Sequence, residues 1–427
     1  MTGPHLPETP RPDAEAFERD MRTKFVTREN LAKLFGMVMP HLREGQRTLV
    51  YILTQSDRIG HFTLEPQILD SLYGDSYDRI VVVTAPWDRP GTNALVPSCY
   101  GDRFVWVQTD DEVILAMGFI DGGLADLKLF HLLLSSPRLT IVNFFKKMVD
   151  GVEPKLIGLP DAAREKGHAQ LRDIGLDPEA PFAYFHMRTP KYRETMTHHG
   201  HRTASIETYR PSIRRILDAG YQVVRIGEKG LEPPDWFSDG YFSLPDALPE
   251  LAPQDRAADL AVLADAAFGT AQNSGPIWVA AAFGTPTLRT NTPYEHLNLP
   301  YTRDLSLFKR YRDDRTGRML PYREILDRRL PAVIRSEDYA KLDISVVENS
   351  ADEIDAATEE FFGMLAGGPS RLPPDDYRRF LALGRAYERE IAADPWFQKE
   401  TLDFYSHAHP FGDFSGKILE SAPDFLD

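Results

Sequence analysis

The sequence has one cysteine, Cys99, and no uninterrupted apolar run of about 18 residues, the length a membrane-spanning helix needs. A single cysteine cannot form an internal disulfide, which argues against a small disulfide-stapled secreted domain. The opening residues MTGPHLPETPRPDAEAFERD also lack the apolar core of a signal peptide. We therefore expect a cytoplasmic protein without a transmembrane segment.

Positive charge is in deficit, because 49 Lys and Arg stand against 64 Asp and Glu, for a net charge of −15. The resulting negative field repels a phosphate backbone, so we expect no nucleic-acid partner. Two phosphate-binding motifs are absent as well. There is no G-x-G-x-x-G, and GDFSGKI has neither the spacing of a P-loop nor the hydroxyl residue after its lysine.

The chain instead has buried-strand patterns alternating with helical ones, and its 427 residues exceed what one hydrophobic core usually serves. Strands are predicted at RTLVYILTQ, YDRIVVVTAP, DRFVWVQ, PFAYFHMR, YQVVRIG and TPTLRTN. Helices are predicted within RIGHFTLEPQILDSLYG, GGLADLKLFHLLLSS, IETYRPSIRRILDAG and GPIWVAAAFG. This alternation predicts an α/β fold with parallel sheets in two Rossmann-like domains.

The predicted boundaries follow composition. Residues 1–44 form an N-terminal arm and helix, 45–175 the first domain, 176–367 the second, and 368–427 a C-terminal helix and tail. The join lies in the polar segment VEPKLIGLPDAAREKGHAQLRDIGLDPEAP. The terminal helix, PDDYRRFLALGRAYEREIAAD, either crosses back to the first domain or serves as a dimer arm.

A concentration of positive charge stands out in this acidic chain, in YFHMRTPKYRETMTHHGHR, residues 184–202. His186 and Arg188, two residues apart, leave one face of a predicted strand at its carboxyl end, where parallel sheets bind ligands. Arg188 and Arg202 offer planar forks of donors suited to phosphate oxygens. The alternative is a solvated surface loop.

A second predicted anion-binding element is FGTAQNSGPIWVAAAFGTP, in which Asn273, Ser274 and Gly275 precede a helix that begins near Pro276. Free N–H groups at such a terminus attract anions, although the same pattern also fits an ordinary helix cap. VVRIGEKG adds Arg225 and Gly227 at another strand end. Arg225 fits a third wall of the same crevice or an internal ion pair.

In the first half, QSDRIGHFTLEP follows the first strand, with Gly60 permitting a tight turn and close approach of a ligand. His61 and Glu65 are four residues apart and share a helix face, as an acid/base pair would. A capping role is the alternative. Gly60, His61 and Tyr192 are assigned to the acceptor side.

Two stretches invite a metal. HHGH places His198, His199 and His201 close together, but no cysteine or carboxylate cluster nearby completes a zinc set. Asp110, Asp111 and Glu112 follow a strand without other anion-binding features. We expect neither a metal nor a cofactor.

Taken together, FHMRTPKY, HRTASIETYRPSIRRILDAGYQVVRIGE, ADLAVLADAAFGTAQNSGPIWVAAAFGTPTLRTN and RIGHFTLEP resemble a bacterial family of glycosyltransferases defined by sequence. The resemblance covers about residues 45–365, and its H-x-R element is similar to that of fucosyltransferase-like enzymes. It implies a GT-B fold, with two Rossmann-like domains facing across a cleft. It also implies that Arg188 and the loop of Ser274 and Gly275 serve the pyrophosphate of a nucleotide-sugar donor. Asn273 and Pro276 depart from the small or hydroxyl residues expected there.

The implied function is metal-independent transfer of a sugar from a nucleoside diphosphate sugar to a hydroxyl acceptor, in glycan or surface polysaccharide biosynthesis. His61, Glu65, His186 and Arg188 are the expected catalytic residues, and Arg188, Arg202, Arg225, Gly227, Asn273, Ser274 and Gly275 the expected donor-binding residues. Two alternatives stay open: a sugar-nucleotide epimerase of the same architecture, and a non-catalytic nucleotide-sugar binding protein.

Overall fold

The computed structural model describes residues 14–89, 91–188, 197–229, 239–294, 303–368, 373–392 and 412–427. The chain divides into two compact units, Met1–Arg164 with Leu251–Leu260, and Glu165–Glu250 with Ala261–Asp427. Among the helices within those ranges, none is both long enough and apolar enough to cross a bilayer.

The first unit contains a five-stranded sheet of order β3-β2-β1-β5-β4, in which every pair is parallel except β4 with β5. Two inner strands, TLVYIL and RIVVVT, are largely apolar on both faces, as buried parallel strands are. The bounds are β1 Thr48–Leu53, β2 Arg79–Thr84, β3 Phe104–Gln108, β4 Gly123–Asp126 and β5 His131–Leu134.

Among the described residues, six α-helices precede the second sheet: α1 Ala14–Phe25, α2 Arg28–Val38, α3 Ile59–Tyr73, α4 Glu112–Ala116, α5 Pro137–Val149 and α6 Asp161–Asp173. Side-chain caps fix three of their starts. Thr27 caps α2, Asp111 caps α4 by accepting from two backbone N–H groups, and Ser136 caps α5. The sixth helix begins in the first unit and ends in the second.

The helix predicted in GGLADLKLFHLLLSS is wrong, because this segment forms the antiparallel pair β4 and β5. Lys128 takes a left-handed φ of 69°, and its N–H donates to Asp126 Oδ1 at 2.7 Å. A right-handed helix cannot pass through such a turn. The near-helical spacing of the leucines reflects a buried strand and its exposed partner.

The second unit contains a seven-stranded sheet of order β14-β11-β10-β9-β6-β7-β8, and all its described pairs are parallel. The six strands from β8 to β11 follow the doubly wound 3-2-1-4-5-6 order, and β14 adds an edge. The bounds are β6 Phe182–His186, β7 Gln222–Ile226, β8 Tyr241–Ser243, β9 Phe268–Ala271, β10 Thr287–Thr292, β11 Leu305–Phe308 and β14 Asp413–Phe414. A separate antiparallel pair joins β12 Arg310–Asp313 and β13 Ile344–Val347.

The remaining helices are α7 Arg210–Asp218, α8 Leu244–Ala247, α9 Ala257–Asp265, α10 Gly275–Phe283, α11 Tyr322–Asp327, α12 Ser336–Lys341, α13 Ala351–Leu365, α14 Pro374–Ala392 and α15 Lys417–Ser421. The helix predicted within IETYRPSIRRILDAG is α7, which carries Pro211 in its first turn, and Gly220 follows its end with a φ of 87°. The prediction that GPIWVAAAFG opens a helix is confirmed by α10.

The terminal helix α14 packs within the second unit, on an aromatic cluster that includes Phe308, Phe380 and Phe414. The rings of Phe380 and Phe414 lie 4.4 Å apart, and β14 extends the unit's sheet. The C-terminal residues are therefore part of this unit's core. The α/β class with parallel sheets, predicted from the sequence, is confirmed.

Candidate functional site

The strand order of the seven-stranded sheet reverses between β6 and β9. On one side β6 is followed by β7 and β8, and on the other β9 is followed by β10 and β11. In open α/β sheets, the carboxyl ends of the strands at such a switch point form the ligand crevice. β6 ends at His186 and is followed by Arg188, and β9 ends at Ala271 and is followed by Gln272 and Asn273. Two predicted site segments thus leave adjacent strands at the same edge.

Two hydrogen bonds join these segments directly, one from a backbone N–H to a side chain and one between backbone groups. The Arg188 N–H donates to Gln272 Oε1 at 2.7 Å, and the Gln272 N–H donates to the His186 carbonyl at 3.1 Å. Arg188 is buried, with 8% of its surface exposed. The backbone of Arg188 is therefore held in place by the sheet and by Gln272. Gln272 is not among the site residues predicted from the sequence.

A buried polar network continues from Gln272 into the unit. Its amide Nε2 donates to the Tyr209 hydroxyl at 3.1 Å, and Asn291 Nδ2 donates to the same hydroxyl at 3.0 Å. Asn291 and Asn349 exchange backbone-to-side-chain hydrogen bonds of 2.7 and 2.8 Å. Because buried polar groups are costly unless paired, this network holds the strand ends in one arrangement. Only the unusual polarity of TLRTNT within a strand hinted at it.

His186 is 2% exposed and lies against Gly227. A Cβ built on Gly227 would come within 3.3 Å of His186 Cδ2, and this glycine has a φ of 118°, so its position suits no other residue well. Burial lowers the pKa of His186 to about 3, and the charges of Arg188 and Arg225 act in the same direction. The imidazole is therefore neutral at physiological pH, and within the described residues its Nδ1 has no hydrogen-bond partner.

Arg202 reaches the same edge from a 3₁₀ helix, Thr197–Arg202. Its Nη2 donates to the Asn273 carbonyl at 3.0 Å, so a second guanidinium lies at the loop after β9. Lys309 adds a buried ammonium that donates to the Thr203 carbonyl at 2.7 Å. Arg202 and the Asn273 loop, predicted separately, are therefore brought together.

The loop leads into α10, whose N-cap residue Ser274 has extended backbone angles and makes no side-chain capping bond. Gly275 is the first helical residue, and Pro276 has no N–H to satisfy. The start of α10 is the positive end of a helix dipole, and the Ser274 side chain does not cap it. The capping alternative for Ser274 is not what the structure contains.

Arg225 does not present its guanidinium to this edge. Nε donates to Ser243 Oγ and Nη1 to the Glu228 carbonyl, both at 3.0 Å, while Nη2 pairs with Asp246. The ion-pair alternative is therefore the one adopted, because a fully buried guanidinium needs partners inside the fold.

In the first unit, His61 lies in the first turn of α3, and its Nδ1 is 2.9 Å from Glu65 Oε1. Glu65 Oε2 accepts from the Tyr51 hydroxyl at 2.5 Å. The predicted pairing of His61 and Glu65 is present, and Tyr51 was missed. Gly60 is not in a tight loop turn as expected, since the helix already begins at Ile59 and includes it.

The possible metal ligands serve other purposes where they are described. Asp111 caps α4, and His201 Nδ1 lies 3.0 Å from Ser336 Oγ. No group of three or more His, Cys, Asp and Glu side chains is arranged to hold a metal ion within the described ranges. Tyr192 and the side chains of His198 and His199 lie outside the described residues.

No protein-family model matches the chain, and no curated protein sequence matches it. Solved structures with a similar fold include a glycosyl transferase family 9 protein from Veillonella parvula DSM 2008, at 12% identity over 77% of this chain and 100% of that one, with a TM-score of 0.42. E. coli heptosyltransferase WaaC, solved with ADP, is 13% identical over 61% of this chain and 90% of its own, with a TM-score of 0.35.

A third similar structure is the dodecameric iron-containing heptosyltransferase TibC from enterotoxigenic E. coli, solved with ADP-D-beta-D-heptose. It is 14% identical over 58% of this chain and 59% of its own, with a TM-score of 0.33. At these TM-scores the assignment of a function depends on the site itself.

Proposed function

We propose that this chain is a glycosyltransferase of the GT-B type, which transfers a sugar from a nucleoside diphosphate sugar to a hydroxyl acceptor. In the reaction, the bond between the anomeric carbon and the diphosphate oxygen breaks, and a bond to the acceptor oxygen forms. The acceptor proton passes to a base in the first unit, at His61 or Glu65. The observation that carries the proposal is the convergence of Arg188, Arg202 and the start of α10 at the switch point of the second sheet.

The chemistry of that edge favours a diphosphate leaving group. Two guanidiniums and a helix N-terminus supply positive charge where a departing diphosphate gains negative charge. Arginine matches phosphate oxygens in a bidentate way, which a lysine does not. The Gln272 network holds the backbone of Arg188, and Arg202 is held at the Asn273 carbonyl. We propose that this preorganised charge makes a divalent ion unnecessary for the transfer. The net charge of −15 makes such a positive site unlike the rest of the chain.

The test is release of nucleoside diphosphate by the wild type and by Arg188→Ala, both with EDTA present. We expect the variant to lose about 100-fold in kcat/KM, as when one preorganised donor is removed from a developing anion. The control is Arg312→Ala, since the Arg312 side chain is 44% exposed and pairs with Asp314 through Nε at 3.0 Å. Full activity of Arg188→Ala, or a wild type that requires added metal, would contradict the proposal.

The same assay has an arm without acceptor. A transferase leaves the donor sugar intact apart from slow hydrolysis, whereas an epimerase converts it unaided. Conversion of the sugar in that arm would replace transfer with epimerisation as the function.

A further inference from the structure

The first unit has its own switch point, between the parallel neighbours β1 and β5. β2, the strand that follows β1 along the chain, lies on the other side of β1. The His61 end of α3 follows β1, and Ser135 and Thr140 follow β5. The carboxyl ends of these strands therefore form the crevice at which this sheet would bind a ligand. Three side chains there form a continuous hydrogen-bonded chain, from Tyr51 through Glu65 to His61.

Glu65 is unsuited to contact a substrate. Its side chain is completely buried, Oε1 is bonded to His61, and Oε2 accepts from Tyr51. His61 is different, because 28% of its side chain is exposed and only Nδ1 is used in the pair. Among the described residues, none is hydrogen-bonded to Nε2. The accessible atom of the chain of three residues is therefore His61 Nε2.

Tyr51 is held in place from several sides. It is fully buried in β1, opposite Val82 of β2 and Leu133 of β5, and its hydroxyl lies 3.5 Å from Thr140 Oγ1. Burial and then the charge of Glu65 raise the pKa of Tyr51 well above its usual value. The hydroxyl therefore keeps its proton, and its only role toward Glu65 is to donate.

We propose that Tyr51 is a positioning residue that fixes Glu65, and that Glu65 in turn holds the proton of His61 on Nδ1, leaving Nε2 as the base for the acceptor hydroxyl. This proposal rests on the proposed function. When the acceptor oxygen bonds to the anomeric carbon and the diphosphate departs, the acceptor proton moves to Nε2. The resulting imidazolium is stabilised by Glu65, whose carboxylate accepts the Nδ1 hydrogen bond throughout.

The first measurement is the ¹⁵N spectrum of histidine-labelled full-length protein, with the His61 signals assigned from a His61→Gln variant. We expect neutral wild-type His61 to carry its proton on Nδ1. In Tyr51→Phe, which keeps the aromatic ring in the core, and in Glu65→Gln, we expect mixed tautomers. The control is Tyr73→Phe, which removes a tyrosine hydroxyl from α3, the helix that carries His61 and Glu65. The His61 signals of this variant should match those of the wild type.

The second measurement separates kcat from KM for the same variants. Tyr51→Phe is expected to lower kcat about tenfold with KM unchanged, and Glu65→Gln to lower it further, since both act through the orientation of the base. Wild-type His61 protonated on Nε2, or a Tyr51→Phe variant with wild-type spectrum and kcat, would overturn the proposal. The expected spectra in a protein without transferase activity would instead overturn the proposed function and leave the hydrogen-bonded chain standing.

Discussion

The imidazole of His186 illustrates how burial sets the charge of a side chain next to the proposed donor site. Its pKa falls from the usual 6.5 to about 3, first because burial penalises the charged form and then because Arg188 and Arg225 repel it. A neutral ring here leaves the positive charge to the arginines. His186 thus supports the strand end, and its protonation would add an unpaired charge to the interior.

This pKa makes the stability of the protein depend on pH. Between pH 6.5 and 3 the unfolded chain binds a proton at His186 and the folded chain does not, so stability falls as the pH falls. In His186→Gln this contribution is absent. As the pH falls through that window, we expect the unfolding free energy of the wild type to decrease relative to that of His186→Gln, by up to about 1.4 kcal/mol per pH unit.

The measurement is chemical denaturation of both proteins at pH 7, 6, 5 and about 4.5, where the other titrating groups are common to both and cancel. A difference that stays constant with pH would contradict the assignment of a neutral, buried His186.

At the scale of the elements, the contact between β6 and β9 decides whether the two site segments stay together. Tyr184 and Gly269 are paired in register, and a Cβ on Gly269 would come within 1.9 Å of Tyr184 Cε1. The tyrosine cannot swing away easily, because it is buried and its hydroxyl lies 2.6 Å from Thr287 Oγ1. Gly269 is therefore required by packing.

Gly269→Ala is expected to lower the free energy of unfolding by about 3 kcal/mol or more, since overpacking a rigid sheet forces backbone shifts. The matched control is Gly36→Ala in α2, where an added Cβ meets nothing within 4 Å. That change should stabilise by about 0.5–1 kcal/mol, the helix advantage of alanine. Equal unfolding midpoints for the two variants would show that the packing argument is wrong.

Helices and strands could be predicted where a short stretch of sequence carries the whole pattern of the element. Buried runs such as TLVYIL and RIVVVT identify parallel strands because both faces are covered. The pair β4 and β5 was mistaken for a helix because its turn depends on the left-handed Lys128, which no periodicity reveals. The packing of α14 on Phe414 links positions far apart in the sequence, and only the folded chain brings them together.

The residues of the candidate site could be predicted in part for the same reason. Arg188, Arg202 and the Asn273 loop follow strands or precede helices, so strand-end reasoning found them. Gln272 and Tyr51 were missed because a glutamine after a strand and a tyrosine within one have no local signature. Their roles come from partners at Arg188 and Glu65.

At the scale of the whole molecule, charge is distributed unevenly. The chain carries −15 overall, yet Arg188, Arg202 and the N-terminus of α10 lie at the edge that contains the second unit's switch point. An acidic surface disfavours indiscriminate binding of polyanions, while a local positive site retains a small one. We therefore expect the protein to bind a compact diphosphate rather than nucleic acid.

If the proposed function is correct, the second unit binds a nucleoside diphosphate through Arg188. The measurement is calorimetric titration of the full chain, in EDTA, with UDP, GDP, dTDP and ADP, and with CMP as the monophosphate control. We expect one diphosphate to bind, and Arg188→Ala to weaken it at least about tenfold while Arg312→Ala leaves it unchanged. Absence of binding by every diphosphate, or equal affinity in Arg188→Ala, would contradict the account.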